Sequence, residues 1–329
     1  MRSGAVATLV IAVALTVIAQ PLAPSAAQPL APSAAPRSAP SAAQSSAPSA
    51  AQPGKLKVHI SVDMEGVAGA VTNEQLGPAG FEYGRFREFM TREALAAVDA
   101  AKAAGATEIV VADSHGNGQN LLIDQFPADV RVIRSWPRKL GMVAGIEDNV
   151  DAAIFIGYHA GTNNTTGVRA HTFSSATLTR VAVNGTNVTE GSWNAAIAGH
   201  FNVPVVMMSG DDAAIAEVRK AVGNIEGAET KQALGFHSAS TITPQASYAL
   251  IGERVKAALA RRADFTPYKI AGPITVDVSF KNYMPAEILA FLPMFERTDS
   301  HSIRFRAKDM AEASMIMNFI GEYRPDITP

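Results

Sequence analysis

The chain has 329 residues, of which 47% are hydrophobic and 18% are charged, and its formal net charge is −2 at pH 7. This composition is typical of a globular protein, and the length suits one or two domains of about 100 to 200 residues each. The small net charge gives no reason to expect a polyanionic partner, so nucleic-acid binding is not indicated. The absence of cysteine excludes disulfide bonds and an anchor on an acylated cysteine.

The first 54 residues differ in composition from the rest of the chain. Arg2 precedes an apolar run from residue 5 to residue 19. This pattern is typical of a secretory signal peptide, and the run is shorter than the roughly 20 apolar residues of a membrane span. A single-pass anchor is the alternative. Residues 20–54 are almost all Ala, Pro, Ser and Gln, a composition that cannot form a packed core.

These patterns divide the N-terminal region into a signal peptide, residues 1–27, and a disordered tether rich in Pro, Ala and Ser, residues 28–54. Removal of the signal peptide would leave a mature protein without a stable membrane span. We therefore expect an exported protein, either periplasmic or secreted.

From Lys55 onward, short apolar runs alternate with segments of helical periodicity. The first run, residues 55–63, predicts a buried strand, and residues 81–104 predict a helix that ends before Gly105. Further strands are predicted at residues 107–113, 151–159 and 203–211. This alternation favours an α/β fold with a mainly parallel sheet flanked by helices.

The last third of the chain has a different pattern. In chain order it predicts a helix, a strand, a helix, a strand and a final helix, at residues 244–262, 274–280, 285–292, 302–306 and from Asp309 onward. We interpret this pattern as a smaller C-terminal α+β domain. The predicted organisation is an α/β domain over residues 55–225 followed by the smaller domain over residues 226–329.

Acidic residues and histidines follow three of the predicted strands. Asp63 and Glu65 come at the end of the first strand, His115 follows the second, and His159 ends the next clear strand. Because the carboxyl ends of parallel strands meet in one crevice, we expect these side chains to converge. In extended backbone, residues 63 and 65 also share a face.

Carboxylates that are buried together repel each other unless a cation compensates their charge. Zinc accepts both histidine nitrogen and carboxylate oxygen, and two ions about 3.5 to 4 Å apart can share one bridging carboxylate while they activate a water molecule. The pattern therefore favours a zinc centre. Each residue alone also has a simpler interpretation, since Asp63 could cap a turn and His115 could be a polar loop residue.

Several short motifs, in this order along the chain, resemble the M55 family of peptidases, which is typified by D-aminopeptidase. They are SVDMEG (61–66), DSHG (113–116), GYHA (157–160), GVRAH (167–171) and VTEGSWNA (188–195). Further similarity at SGDD (209–212) and FRAKDMAEA (305–313) extends the resemblance over residues 55–329.

The resemblance implies a two-zinc site in which Asp63 bridges the ions. The other ligands that it implies are Glu65, His115, His159 and Glu190.

The resemblance also implies that His171 is the catalytic residue, which is often described as a nucleophile in this family. General base catalysis and stabilisation of the tetrahedral intermediate are the chemical alternatives. Asn194 lies four residues after Glu190 on a predicted helix, so it is a candidate for contact with the substrate or with a metal ligand.

The function implied by the resemblance is that of a zinc-dependent D-aminopeptidase-type hydrolase, which releases N-terminal residues from short peptides or amides. D-amino acids are the expected products, and the expected assembly is a ring-shaped homo-oligomer. One alternative is a metal-dependent phosphoesterase, which would need cationic residues near the motifs, where Arg169 is the candidate. The other is a non-enzymatic periplasmic protein that binds metal or peptide and would not require His171.

The sequence departs from the family pattern in two places. The residues next to His171 are Arg169, Ala170 and Thr172, which bears on substrate preference. The predicted export signal is the second departure, because the D-aminopeptidase that gives the family its name works inside the cell. Export favours exogenous or wall-derived peptides as substrates.

Overall fold

The computed structural model describes residues 55–323. The predicted signal peptide, residues 1–27, and the predicted tether, residues 28–54, lie outside the described residues. In chain order the strands and α-helices are β1 (Leu56–Val62), α1 (Asn73–Leu76), α2 (Tyr83–Ala103), β2 (Ala106–Asp113), β3 (Val130–Ile133), β4 (Ala152–Tyr158), β5 (Leu178–Val183), β6 (Thr186–Asn187), α3 (Glu190–His200), β7 (Val205–Asp211), α4 (Asp212–Val222), β8 (Glu226–Gly235), β9 (Ser238–Thr241), α5 (Pro244–Ala260), β10 (Ile274–Phe280), α6 (Tyr283–Leu289), β11 (Phe295–Asp299), β12 (Ser302–Ala307) and α7 (Met310–Glu322).

The larger sheet has seven strands in the order β3-β2-β1-β4-β7-β8-β9. The pairings from β3 through β8 are parallel, and β9 returns antiparallel to β8. Every residue of β4 is buried, which explains its unbroken apolar sequence, because a parallel sheet is covered on both faces. The prediction of an α/β fold with a mainly parallel sheet flanked by helices is confirmed.

The side chains of β4 alternate between two hydrophobic cores. Ile154 and Ile156 belong to the core that contains residues of α2 and α5. Ala153 and Phe155 belong to the core on the other face, together with Trp193 of α3. The alternation follows from the two-residue period of a strand, and it fixes which face of the sheet each helix covers.

The smaller sheet is antiparallel, with the strand order β11-β12-β10-β5-β6. Val276 and Val278 of β10 and Ile303 and Phe305 of β12 belong to the same core as Trp193. The smaller sheet therefore shares its core with α3 and with one face of the larger sheet.

The predicted boundary at residue 225 does not coincide with the division between the two sheets. β8 and β9 follow this boundary and extend the larger sheet, while β5 and β6 precede it and belong to the smaller sheet. Because the sequence of β8, EGAETKQALG, is largely polar, it does not indicate that this strand lies beside β7. Among residues 55–323, no helix has both the length and the apolar character that crossing a bilayer requires.

Candidate metal centre

Three adjacent strands bring the first predicted ligands to one edge of the larger sheet. β1 lies between β2 and β4, and all three run parallel, so their carboxyl ends lie side by side. Asp63 directly follows β1, His115 comes two residues after the end of β2, and His159 directly follows β4. The convergence expected from the sequence is therefore present.

Two glycines allow the chain to pack closely at this edge. Gly66 donates a backbone hydrogen bond of 2.7 Å to the carbonyl oxygen of Gly157. A Cβ atom on Gly66 would lie 2.1 Å from the carbonyl oxygen of Tyr158, and one on Gly157 would lie 2.2 Å from that of Asp63. Both distances are far below van der Waals contact, so only glycine permits this approach of the Glu65 loop to the end of β4.

Asp63, Glu65 and His115 form the first half of the cluster. The Nδ1 atom of His115 lies 3.1 Å from Asp63 Oδ1 and 2.8 Å from Glu65 Oε2. The other ring nitrogen, Nε2, donates to the carbonyl oxygen of Leu76 at 2.6 Å. A hydrogen bond from the second ring nitrogen to a carbonyl is the usual support of a metal-ligating histidine, because it fixes the tautomer and directs the free nitrogen inward.

His159 and Glu190 form the second half of the cluster. The Nε2 atom of His159 lies 3.3 Å from Asp63 Oδ2 and 3.4 Å from Glu190 Oε2. Its Nδ1 atom donates to the carbonyl oxygen of Ala160 at 3.0 Å. The carboxylate of Asp63 therefore directs one oxygen to each half of the cluster.

Glu190 is fixed at the N-terminus of α3. Thr189 caps this helix by accepting a hydrogen bond from the backbone N–H of Ser192. A carboxylate in the first turn of a helix is stabilised by the helix dipole. Glu190 Oε1 also accepts a hydrogen bond of 2.6 Å from the backbone N–H of Phe173, so the carboxylate is tied to the loop that carries His171.

His171 lies in the loop between β4 and β5, with its ring stacked on that of His159. The ring centroids are 4.0 Å apart and the planes differ by 7°. The Nδ1 atom of His171 donates to the carbonyl oxygen of Arg169 at 2.8 Å, and its Nε2 atom lies 3.6 Å from Glu190 Oε1. Nε2 is therefore the ring nitrogen of His171 that faces the cluster.

The backbone on both sides of His171 is strained. Arg169 has a φ of 54° and Phe173 has a φ of 62°, values in the left-handed region that bulky residues rarely adopt. The backbone N–H of His171 holds the loop by donating to the carbonyl oxygen of Ala160 at 2.9 Å. Strain of this kind concentrates at functional loops, which agrees with a role for His171 in the chemistry.

Asn194 lies one turn after Glu190 on α3 and is buried. Its amide nitrogen contacts the Tyr158 hydroxyl at 3.2 Å and the sulfur of Met142 at 3.1 Å. Within residues 55–323, the hydrogen bonds of Asn194 lead to these core side chains, and the predicted contact with a metal ligand is not among them.

Lys231 of β8 is a buried residue that the sequence analysis missed. Its Nζ atom donates to the carbonyl oxygens of Glu65, Val67 and Ala70 at 2.5, 2.9 and 2.6 Å. Burial lowers the pKa of Lys231 to about 8. A lysine in a polar strand sequence gives no sign that it is buried, so no sequence pattern indicates that it holds the loop after Glu65.

The ionisable groups of the cluster strongly perturb one another. Burial and the neighbouring charge of Glu65 raise the pKa of Asp63. Burial opposes the charged forms of Glu65 and His115, but their mutual attraction prevails, so the pKa of Glu65 is lowered and that of His115 is raised. Burial and the charge of His159 lower the pKa of His171. Such perturbed groups, gathered at one edge of a sheet, are typical of a functional site.

The donor atoms of the cluster fit a metal centre. Those of Asp63, Glu65 and His159 lie within 4.8 Å of one another, and so do those of His159, His171 and Glu190. Among residues 55–323, the buried atoms Asp63 Oδ2 and His159 Nε2 have no hydrogen-bond partner. A cation that bound both atoms would remove the cost of burying them unpaired, and zinc accepts both kinds of donor.

His171 belongs to the second of these groups by distance. Its position therefore suits either a metal ligand or the predicted catalytic residue.

Comparison with known proteins identifies the family. The family model described as peptidase M55, D-aminopeptidase, matches residues 56–319. The D-aminopeptidase of Bacillus subtilis (strain 168) is 31% identical over 263 residues, which cover 80% of this chain and 95% of that protein.

A solved structure shares the fold. It is the Zn-dependent D-aminopeptidase DppA from Bacillus subtilis, described as a self-compartmentalizing protease. It aligns with a TM-score of 0.78 at 30% identity, and the alignment covers 81% of this chain and 97% of that chain. The chain described here belongs to the M55 peptidases, the D-aminopeptidase family, as its motifs imply.

Proposed function

We propose that this chain is a zinc-dependent D-aminopeptidase, a metallo-aminopeptidase that releases N-terminal D-residues from short peptides or amides. The observation that carries the proposal is the buried cluster in which one carboxylate oxygen of Asp63 lies 3.1 Å from His115 and the other lies 3.3 Å from His159, in a chain of the D-aminopeptidase family. The Bacillus subtilis relatives support zinc as the metal, because one of them is described as zinc-dependent.

Five side chains would hold the metal. Asp63 would bridge, with Glu65 and His115 on one side and His159 and Glu190 on the other. We propose two zinc ions per chain, because five ligands exceed what a single tetrahedral zinc ion requires.

Bound zinc would polarise the scissile carbonyl group and activate a water molecule for attack on it. His171 would accept the proton that the attacking water molecule releases. Its Nδ1–H is committed to the carbonyl oxygen of Arg169, which leaves Nε2 facing the cluster. Burial lowers the pKa of His171, which favours an unprotonated Nε2 that can accept a proton. A free Nε2 also suits the nucleophilic role described for the family.

The direct test is a hydrolysis assay of D-alanyl-D-alanine and of D- and L-alanyl p-nitroanilides. We expect turnover of the D-substrates that is lost on chelation and restored by zinc. Hydrolysis of p-nitrophenyl phosphate without peptidase activity would point to a phosphoesterase. Peptide binding without any turnover would point to a binding protein.

A homo-oligomer, ring-shaped as in our prediction, forms part of the proposal. Large apolar side chains are exposed along α6 and in the turn after it, at Tyr283, Met284, Ile288, Phe291 and Leu292. Phe291 is 76% exposed, and exposed apolar clusters of this kind usually mark interaction surfaces. The Bacillus subtilis structure is described as self-compartmentalizing. Analytical ultracentrifugation should detect an assembly, whereas a stable monomer would contradict this part of the proposal.

We also propose that the protein is exported and acts in the periplasm or outside the cell. The support is the sequence pattern of residues 1–27. Cell fractionation should find the mature protein outside the cytoplasm, with an N-terminus downstream of the apolar run. A full-length protein in the cytoplasmic fraction would contradict it.

A further inference from the structure

Arg169 is a buried arginine beside the candidate metal centre. The residue is 7% exposed. Its Nη2 atom donates to Asn73 Oδ1 at 2.6 Å, and its guanidinium carbon lies 5.2 Å from the centroid of the Phe236 ring. Among residues 55–323, its buried Nε atom has no hydrogen-bond partner.

The partners of Arg169 are neutral, unlike those of several more exposed arginines. Arg261 lies 2.8 Å from a carboxylate oxygen of Glu226, and Arg304 lies 2.8 Å from one of Asp277. In the part of the chain that the structure describes, Arg169 forms no ion pair. A buried guanidinium that no carboxylate compensates is costly, so its surroundings are suited to an anion that arrives from outside.

The backbone holds Arg169 in place in spite of its strained φ of 54°. Its N–H donates to the carbonyl oxygen of Phe236 at 2.9 Å, and its carbonyl oxygen accepts from His171 Nδ1 at 2.8 Å. The same peptide segment therefore fixes both the cationic side chain and the candidate catalytic ring.

The guanidinium group contacts the same short helix as His115 does. It contacts Asn73, the first residue of α1, while His115 contacts Leu76, the last residue of this four-residue helix. A helix of this length spans only about 6 Å. Arg169 thus connects the loop that carries His171 to α1, and His115 contacts the same helix.

We propose that Arg169, positioned by Asn73 and by the Phe236 ring, binds the free C-terminal carboxylate of a short peptide substrate. The proposal rests on the proposed peptidase function. In a dipeptide a single residue, which spans at most about 3.6 Å, separates the scissile bond from the C-terminal carboxylate. A dipeptide whose scissile bond lies at the cluster therefore keeps its carboxylate beside the cluster, on which the loop that carries Arg169 also borders. Carboxylate is the anion that the planar guanidinium recognises through paired hydrogen bonds. The enzyme then prefers short peptides with a free C-terminus to their amides.

The test uses two non-cleavable ligands, the reduced-amide analogue of D-alanyl-D-alanine and the C-terminal amide of that analogue. Binding to the zinc-loaded protein is measured by calorimetry. We expect the wild type to bind the carboxylate form about 10-fold or more tightly than the amide form, the scale of a charge-assisted hydrogen bond. The ratio should fall toward one in Arg169→Gln and be intermediate in Arg169→Lys. Arg131→Gln, which removes a surface partner of Asp148, should keep the wild-type ratio.

A wild-type protein that binds the two ligands equally overturns the proposal, whatever the variants do, and so does an Arg169→Gln variant that keeps the full preference. Turnover of D-alanyl-D-alanine is measured on the same samples. If the protein turns over D-alanyl-D-alanine but shows no carboxylate preference, the subsite proposal is wrong and the peptidase function stands. If the carboxylate preference is lost in Arg169→Gln but no peptide is turned over, the subsite proposal is supported and the peptidase function is wrong.

Discussion

At the scale of single residues, Asp63 connects the two halves of the candidate centre. One of its oxygens lies 3.1 Å from His115 and the other lies 3.3 Å from His159. Burial and the neighbouring charge of Glu65 raise the pKa of this carboxyl group. Because a carboxylate must be deprotonated to bind a metal ion, zinc binding is coupled to pH.

We expect two of the three histidines in the cluster to be metal ligands and the third to be the catalytic residue. His115→Ala and His159→Ala should lose zinc, because their inward nitrogens face the bridging carboxylate. His171→Ala should keep most of the zinc and lower kcat by at least about 100-fold, the usual effect of removing a positioned acid or base. Elemental analysis and kinetics on the same three variants provide the measurement. Loss of zinc from His171→Ala would make His171 a ligand, and full turnover would remove its catalytic role.

Glu93 predicts a pH dependence of stability that is separate from the metal centre. Burial raises the pKa of Glu93 from 4.5 to about 7, against hydrogen bonds from Ala68 and Ser247. Since the unfolded chain releases this proton at lower pH, the stability that Glu93 contributes is complete below pH 4.5 and is lost as the pH rises through 7.

The expected loss is on the order of 3 kcal/mol for a shift of this size. Urea unfolding of the metal-free protein at pH 5 and pH 8 measures it. The free energy of unfolding should fall more in the wild type than in Glu93→Gln. Glu88→Gln, on the exposed side of the same helix, should behave like the wild type. An equal fall in wild type and Glu93→Gln would show that Glu93 does not titrate in this way.

At the scale of elements, the site depends on a strand that contributes none of its ligands. Lys231 of β8 binds three carbonyl oxygens in the loop that carries Glu65. Thr230, the preceding residue, donates to the carbonyl oxygen of Gly66 at 2.6 Å. β8 therefore holds the Glu65 loop in place, although the two segments are more than 160 residues apart in the sequence.

Lys231→Met should weaken zinc binding by about 10-fold or more, the usual scale for residues that orient metal ligands. The hydrophobic side chain fills the buried space but leaves the three carbonyl oxygens without their donor. Competition with a chelator measures the affinity, and Lys256→Met, at an exposed position of α5, is the control. If Lys231→Met folds and binds zinc as tightly as the wild type, β8 does not position the loop.

The elements that were predicted correctly share a strong local signal. β1, β2, β4 and β7 are parallel strands that are buried over most of their length, and apolar residues predominate in each of them. The convergence of Asp63, His115 and His159 could be predicted because parallel strands end at a common edge. β8 and the two-residue strand β6 are largely polar, and the short strand β5 is interrupted by Thr179 and Arg180. Only their neighbours in the fold therefore identify these three strands. The contact between Arg169 and Asn73 joins residues 96 positions apart, and no local pattern indicates it.

At the scale of the whole molecule, the described fold begins at β1 with Leu56. A variant that starts at Lys55 should express in soluble form and keep wild-type turnover. Residues 1–27 are predicted to be removed as a signal peptide, and residues 28–54 are almost all Ala, Pro, Ser and Gln, a composition that cannot form a core. Expression yield, circular dichroism and peptidase assay of the shortened and full-length chains provide the comparison. Insoluble expression or lost turnover would assign residues 1–54 a structural role.

The zinc content of the purified protein after reconstitution measures whether the donor atoms on the two sides of Asp63 hold metal. We expect close to two zinc ions per chain in the wild type and a marked loss in Asp63→Ala, together with the loss of peptidase activity. Zinc content near zero in the reconstituted wild type, with Asp63→Ala as active as the wild type, would contradict the proposed two-zinc centre.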